Sequence, residues 1–239
     1  MRVLDLSYHP LDARSGGWLD LSRKDNHGTL HGGAKPYMIA PGVMGFEFDG
    51  NSGYVDCGSD DSLDAKDAIT IGVWIYPKNA EGSYQGIIGK KGYSAYQVYV
   101  KSNQLGWDIT NESNDRVFLF KGNIVNDEWH YIVTTYDSLL SSDQMKWYID
   151  VALIGTANQT GKIRTSPNSL VIGWSQYGNE FFNGVIALSF IEKNRAWSPD
   201  EVRENYYRSP IYRMLRGLPH SMIYTKVPWK QTQGGIYVP

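Results

Sequence analysis

Around residues 45–58 apolar and polar positions alternate on both sides of a turn. Phe46 and Phe48 flank Glu47, Asp49-Gly50 carries turn chemistry, and Tyr54, Val55 and Cys57 resume β-prone sequence. That pattern predicts strand, tight turn, strand. Residues 69–77 repeat the period of two with both faces largely apolar. Ile69, Ile71, Val73 and Ile75 share one face, and Thr70, Gly72, Trp74 and Tyr76 share the other, so this strand is expected to be central. Residues 86–90, 95–101 and 104–110 continue as strands, with Ser102-Asn103 as a hairpin turn between the last two. Strand patterns recur at 117–120, 129–136, 145–150, 152–155, 170–174 and 181–191. No amphipathic helical pattern comes between them. The expected fold is therefore all-β, a two-sheet antiparallel sandwich, and βαβ topology is disfavoured.

Two stretches break the period. Residues 12–36 are rich in Gly, Asp, Ser, Asn and His and read as loops. Residues 59–68 read as a polar connector with one helical turn. Ser198 is an N-cap candidate, Pro199 suits the first helical position, and Asp200 and Glu201 fill the first turn, which predicts one short helix over 198–207. The chain thus divides into a sandwich, 1–208, and an extended C-terminal arm, 209–239. The arm holds four prolines and basic residues among Ile211, Tyr212, Leu215, Ile223, Tyr224, Trp229 and Tyr237, with no clean period. Such apolar side chains are costly to leave in water, so the arm is expected to dock, on a partner subunit or on its own domain.

Composition narrows the function. Net charge is −2 with signs interspersed, and no basic face of the kind that binds nucleic acid is present. No apolar run reaches membrane-span length, and the N-terminus lacks a classical signal peptide. Cys57 is the single cysteine, which excludes an intrachain disulfide and a multi-cysteine metal site; in a β run it reads as a buried small hydrophobe. The 17 tyrosines and 8 tryptophans exceed what a core needs and suit carbohydrate stacking or protein interfaces. Tyr84, Trp107, Trp174 and Tyr177 are the glycan-binding candidates, the last two beside Ser175, Gln176 and Asn179. Trp107 and Trp174 also fit positions between two sheets. His27 and His31 lie four apart in a Gly-rich loop, without the helix a zincin needs, and there is no nucleophile motif.

Several segments resemble a known family. Residues 17–32 are similar to the "D-x-S-…-N-x-G-T-L-x-G" lead-in of laminin-G-like, concanavalin A-like jelly rolls. Residues 48–56 resemble their "F-D-G-x-x-x-Y-V" corner, 69–77 "F-T-I-S-x-W-V-Y-P", and 129–137 "W-H-H-V-A-x-T-Y-D". Residues 148–150, 182–184 and 195–202 resemble later motifs in family order. The resemblance covers residues 3 to about 207 and implies a jelly-roll β-sandwich; the arm has no counterpart. Some relatives hydrolyse glucans with carboxylates aligned on one strand. Glu47 and Asp49 share a face here, but Asn51 and Ser52 stand where the third carboxylate would follow, so no enzyme is expected. Many relatives hold a structural calcium. The resemblance implies Asp20, Asp25, Asn26 and Asp49 as possible ligands, while Ala187 and Leu188 replace the family's acidic pair and Val151 replaces a glycine.

The expected function is a non-enzymatic structural or attachment subunit of a larger assembly. A viral-particle decoration or attachment protein leads, with a lectin-like sandwich facing outward and the arm docked on capsid or tail subunits. A homo-oligomer and a virion or extracellular location belong to that reading. The alternative is a soluble lectin or carbohydrate-binding module that recognises a cell-surface glycan.

Overall fold

The computed structural model describes residues 1–6, 17–90 and 95–218, with the backbone of residues 230–231 and 237–238. Two antiparallel sheets face each other. The first contains β1 (Arg2–Leu6), β3 (Lys35–Ala40), β4 (Val43–Asp49), β6 (Ala68–Pro77), β11 (His130–Asp137), β12 (Met145–Ile149), β13 (Ala152–Ala157) and β15 (Asn183–Lys193). Its order is β13-β12-β11-β6-β15-β4-β3, and β1 pairs with the second half of β15. The second contains β2 (Thr29–His31), β5 (Tyr54–Asp56), β7 (Gln85–Lys90), β8 (Tyr96–Lys101), β9 (Gln104–Thr110), β10 (Arg116–Lys121) and β14 (Leu170–Ile172), in the order β10-β9-β8-β7-β14-β5-β2.

Each sheet joins consecutive strands, β11–β12–β13 and β3–β4 in the first and β7–β8–β9–β10 in the second, through pairings between distant ones such as β6–β15 and β7–β14, the jelly-roll pattern expected from the motifs. β6 is central, between β11 and β15. Ile69, Ile71, Val73 and Ile75 fill the space between the sheets with Phe46, Phe48, Trp107 and Trp147. Each such fully buried side chain stabilises the fold by about 1.5–3 kcal/mol. The opposite face of β6 presents Trp74 to a second apolar layer, so the strand is covered on both sides. The Ser102-Asn103 turn has φ of +48° and +60°, the primed geometry that matches strand twist in a two-residue hairpin.

The second layer is built by the helices. α1 (Pro199–Arg208) starts on a capping box between Ser198 and Glu201, with Pro199 in its first turn. It lays Tyr206 flat on Trp74, ring centroids 5.3 Å apart, and Val202 is buried beneath it. The expected extended arm begins differently from its prediction. Ser209 ends α1 and its hydroxyl accepts from the Ile211 amide, starting α2 (Pro210–Leu215). Ile211 is fully buried against the outer face of the first sheet. Residues 210–215 are therefore helical and packed on their own domain, because a serine cap and Pro210 in the first turn satisfy the free helix end. Tyr212 is half-buried in the same layer and Leu215 is half exposed at the helix end. Tyr237 contributes backbone to a two-residue strand paired with Lys230–Gln231. Ile223, Tyr224 and Trp229 lie outside the described residues. Among the described residues no helix is long and apolar enough to cross a membrane.

Candidate functional site

The outer face of the second sheet carries the residues best placed to meet a ligand. Leu30 and Val55 point into the core, so by strand alternation His31 and Tyr54 point outward. They are register partners across β2 and β5, and their rings stack at 4.6 Å and 10°. Beyond β14 the chain forms a short hairpin closed by an antiparallel bridge between Trp174 and Phe181. Those two rings stack at 5.2 Å with planes 8° apart, and Trp174 meets Tyr54 at 5.1 Å. Phe181, Trp174, Tyr54 and His31 thus make one continuous row of four rings. All four are half-buried, with part of each ring open to solvent.

The hairpin that supports this row is tightly bonded. The Trp174 indole N–H donates to the Gly178 carbonyl at 3.1 Å, and Gln176 donates to the Ser169 carbonyl at 2.7 Å. The Ser175 hydroxyl donates to Glu180, and the Gly86 amide donates to the Glu180 carbonyl at 3.1 Å. Gly86 must lack a side chain here: a Cβ would stand 2.3 Å from the Trp174 carbonyl carbon. Gln176 and Gly178 adopt positive φ, which turns the tip and leaves Tyr177 57% exposed beside the row. Flat apolar ring faces beside the exposed Asn179 and the half-buried Gln176 and Glu180 can stack on the C–H face of a sugar ring and bond its hydroxyls.

The structure separates the four aromatic candidates. Trp174 and Tyr177 belong to this site. Tyr84 is on the same sheet face but in another ring cluster, with Tyr99, Phe118 and Phe120. Trp107 is fully buried between the sheets and is removed from the site, because its position on β9 alternates with outward-facing Asp108. Tyr54, His31 and Phe181 are site residues that the sequence reading missed. Their signal was the alternation of Tyr54 with Val55, but the pairing with Trp174 depends on strand order.

The proposed calcium ligands do not form one shell. Asp20 is buried, and its carboxylate accepts from the amides of Asp5, Ser22 and Asn26 and from the Ser22 hydroxyl at 2.7–3.0 Å. The Asn26 amide group donates to the Val3 carbonyl and Ser62, while Asp25 is exposed beside His27. Asp49 accepts from the amides of Asn51, Ser52 and Gly53 and from the Ser52 hydroxyl. Burial opposes its charge, but those donors outweigh it and hold its carboxyl far below the ordinary range. Carboxylates engaged this fully by their own chain act as loop anchors, and they do not fit a calcium site. Among the described residues no group of three His, Cys, Asp or Glu has metal-site spacing.

Glu47 is equally committed. Lys78 lies at 2.7 Å and Lys35 at 2.9 Å, and their hydrogen bonds hold its carboxyl below the usual range. A general acid for glycoside hydrolysis needs the opposite shift. Cys57 is buried, and burial pushes its thiol up, consistent with a core role.

The family model described as the concanavalin A-like lectin/glucanases superfamily matches residues 49–203. Among curated proteins no sequence matches. Among solved structures, the binding domain of Paraclostridial Mosquitocidal Protein 1 superposes with a TM-score of 0.67 at 14% identity, over 86% of this chain and 51% of that one. The botulinum neurotoxin serotype G binding domain gives 0.67 at 18% identity, over 87% and 51%. A structure titled "Cell entry of botulinum neurotoxin type C is dependent upon interaction with two ganglioside molecules" gives 0.62 at 14%, over 86% and 50%. The chain spans about half the length of each of these structures, and at such identities the likeness is one of fold.

Proposed function

This chain belongs to the concanavalin A-like lectin/glucanases superfamily, and from that premise we propose that it is a non-catalytic, lectin-like binding domain. The observation that carries the reading is the open row Phe181–Trp174–Tyr54–His31, supported on a hydrogen-bonded hairpin and edged by Tyr177. Its ligand is a glycan whose sugar rings stack on the row. Support comes from the solved structures of similar fold, two of them titled as binding domains and a third for ganglioside interaction. Support for the absence of catalysis comes from Glu47, which is held ionised by two lysines.

The finer form of the reading makes the domain an attachment module of a larger assembly at a virion or extracellular surface. Its support is the end of the described sandwich. α2 is docked through Ile211, while Leu215 and Leu218 are about half exposed. Those side chains are where a partner subunit would continue the apolar layer.

A glycan array tests the binding reading. Wild type binds a defined set of glycans, and Trp174→Ala and Tyr54→Ala lose that set while keeping the wild-type circular dichroism spectrum. An array without any signal, or one unchanged by both substitutions, contradicts it.

A further inference from the structure

The cluster around Tyr84 has a chemistry that the four-ring row lacks. Tyr84 and Phe118 stack at 5.8 Å and 27°, and Phe118 meets Phe120 edge-on at 4.9 Å. All three rings are half-buried on the outer face of the second sheet. Phe118 and Phe120 lie on β10, an edge strand, so one side of the cluster is unobstructed by sheet neighbours. Tyr99 closes its base and pairs in register with Gly86, the residue that abuts the Trp174 backbone. Trp174 is therefore about two strand spacings, ~10 Å, from Tyr99 and about four, ~19 Å, from the β10 rings, within reach of one oligosaccharide.

Charge distinguishes this cluster. The Lys101 Nζ sits 3.9 Å above the Tyr84 ring centre. Lys101 shares its strand face with Tyr99, since Val98 and Val100 point into the core. Arg116, 4.6 Å from Phe118, is held by Asp108 through Nε and one terminal nitrogen at 2.6–3.1 Å. Asp108 thus offsets Arg116, and among the described residues no carboxylate is paired with Lys101. The cluster carries an excess of one positive charge fixed beside flat rings. A cation resting on a ring is positioned and partly desolvated, which strengthens its attraction for an anion.

We propose that this cluster is a second contact for the same ligand and takes an anionic sugar unit. The sugar's carboxylate or sulfate bonds Lys101, which covers Tyr84, and its C–H face packs on Phe120 at the open edge of the cluster. The inference rests on the glycan-binding reading and names the class of glycan. Neutral oligosaccharides engage the four-ring row alone, and acidic ones engage both groups.

The test is a titration of the full chain with three hexasaccharides: chitohexaose, hyaluronan hexasaccharide and chondroitin sulfate hexasaccharide. They are neutral, carboxylated, and both carboxylated and sulfated. Acidic ligands bind about tenfold more tightly than the neutral one, the size expected of one charge-assisted contact. Lys101→Gln reduces that preference to within about twofold, Lys101→Arg retains it, and raising the salt from about 50 to about 500 mM erodes it. A preference for both acidic ligands assigns the carboxylate, a preference for chondroitin sulfate alone assigns the sulfate, and either supports the inference. Equal affinity for all three, or a preference indifferent to Lys101→Gln, overturns this inference and leaves the binding reading intact. Failure of all three to bind, with an empty glycan array, overturns both.

Discussion

The His130 Nδ1 lies 2.8 Å from the Asp150 carboxylate, and this contact joins the start of β11 to the turn between β12 and β13. The other Asp150 oxygen accepts the Tyr131 amide at 2.8 Å. Burial of the ring favours neutral histidine, but the hydrogen bond and charge of Asp150 outweigh it and raise the affinity of His130 for its proton. A folded-state pKa above the unfolded one stabilises fully below the unfolded value, about 6.5, and that contribution is lost as pH rises through the raised value. Asp150→Asn is expected to cost about 1 kcal/mol at pH 6, a modest figure because Asp150 is partly solvated, and less at pH 9. Urea denaturation at the two values checks this. An equal cost at both contradicts the assigned protonation.

The two tryptophans that the sequence offered as equal candidates separate experimentally. Trp107 is fully buried between the sheets with its indole N–H unpaired. Trp107→Ala is expected to lower stability by about 3–5 kcal/mol. Trp107→Phe keeps most of the packing and removes the unpaired donor, so it is expected to leave glycan affinity unchanged. Loss of affinity in a folded Trp107→Phe would place this residue in the binding site after all.

Calcium gives a direct check of the lead-in loop. Asp20 and Asp49 are expected to anchor backbone amides without metal, so EDTA shifts Tm by less than about 1 °C, and millimolar calcium does the same. Asp20→Ala is expected to cost about 2–3 kcal/mol, because it strands several amide donors around a buried position. A large calcium-dependent rise in Tm would overturn the account of these carboxylates.

The second apolar layer makes a similar claim for the C-terminal helices. Ile211 is fully buried against the outer face of the first sheet. Ile211→Ala is expected to destabilise by about 3 kcal/mol. Because α2 sits at the end of the described sandwich, hydrogen exchange should accelerate first in residues 209–218. Exchange unchanged there would mean that α2 contributes little to the layer.

Local chemistry was legible in the sequence wherever neighbours along the chain decide the structure. The two apolar faces of 69–77, the Ser102-Asn103 turn and the Ser198 cap all follow from adjacent residues, and each appears as expected. The site itself depends on pairs that only strand order creates. His31 meets Tyr54 because β2 pairs with β5, and Tyr54 meets Trp174 because β14 lies on the other side of β5. The helix at 210–215 escaped notice because six residues are too few to show a helical period. Its burial comes from a sheet face built by distant strands. Asp20 and Asp49 looked like metal ligands because loop-anchoring and metal-binding carboxylates use the same residue types.

The central claim, a ligand stacked on the Trp174 row, is tested most directly by NMR of the tryptophan indole N–H groups during titration with a glycan taken from the array. The Trp174 indole donates to the Gly178 carbonyl at the edge of the row, whereas those of Trp107 and Trp147 are sealed between the sheets. The account predicts that the Trp174 signal shifts progressively to saturation while the Trp107 and Trp147 signals stay in place. Saturable binding that leaves the Trp174 signal unmoved would contradict it.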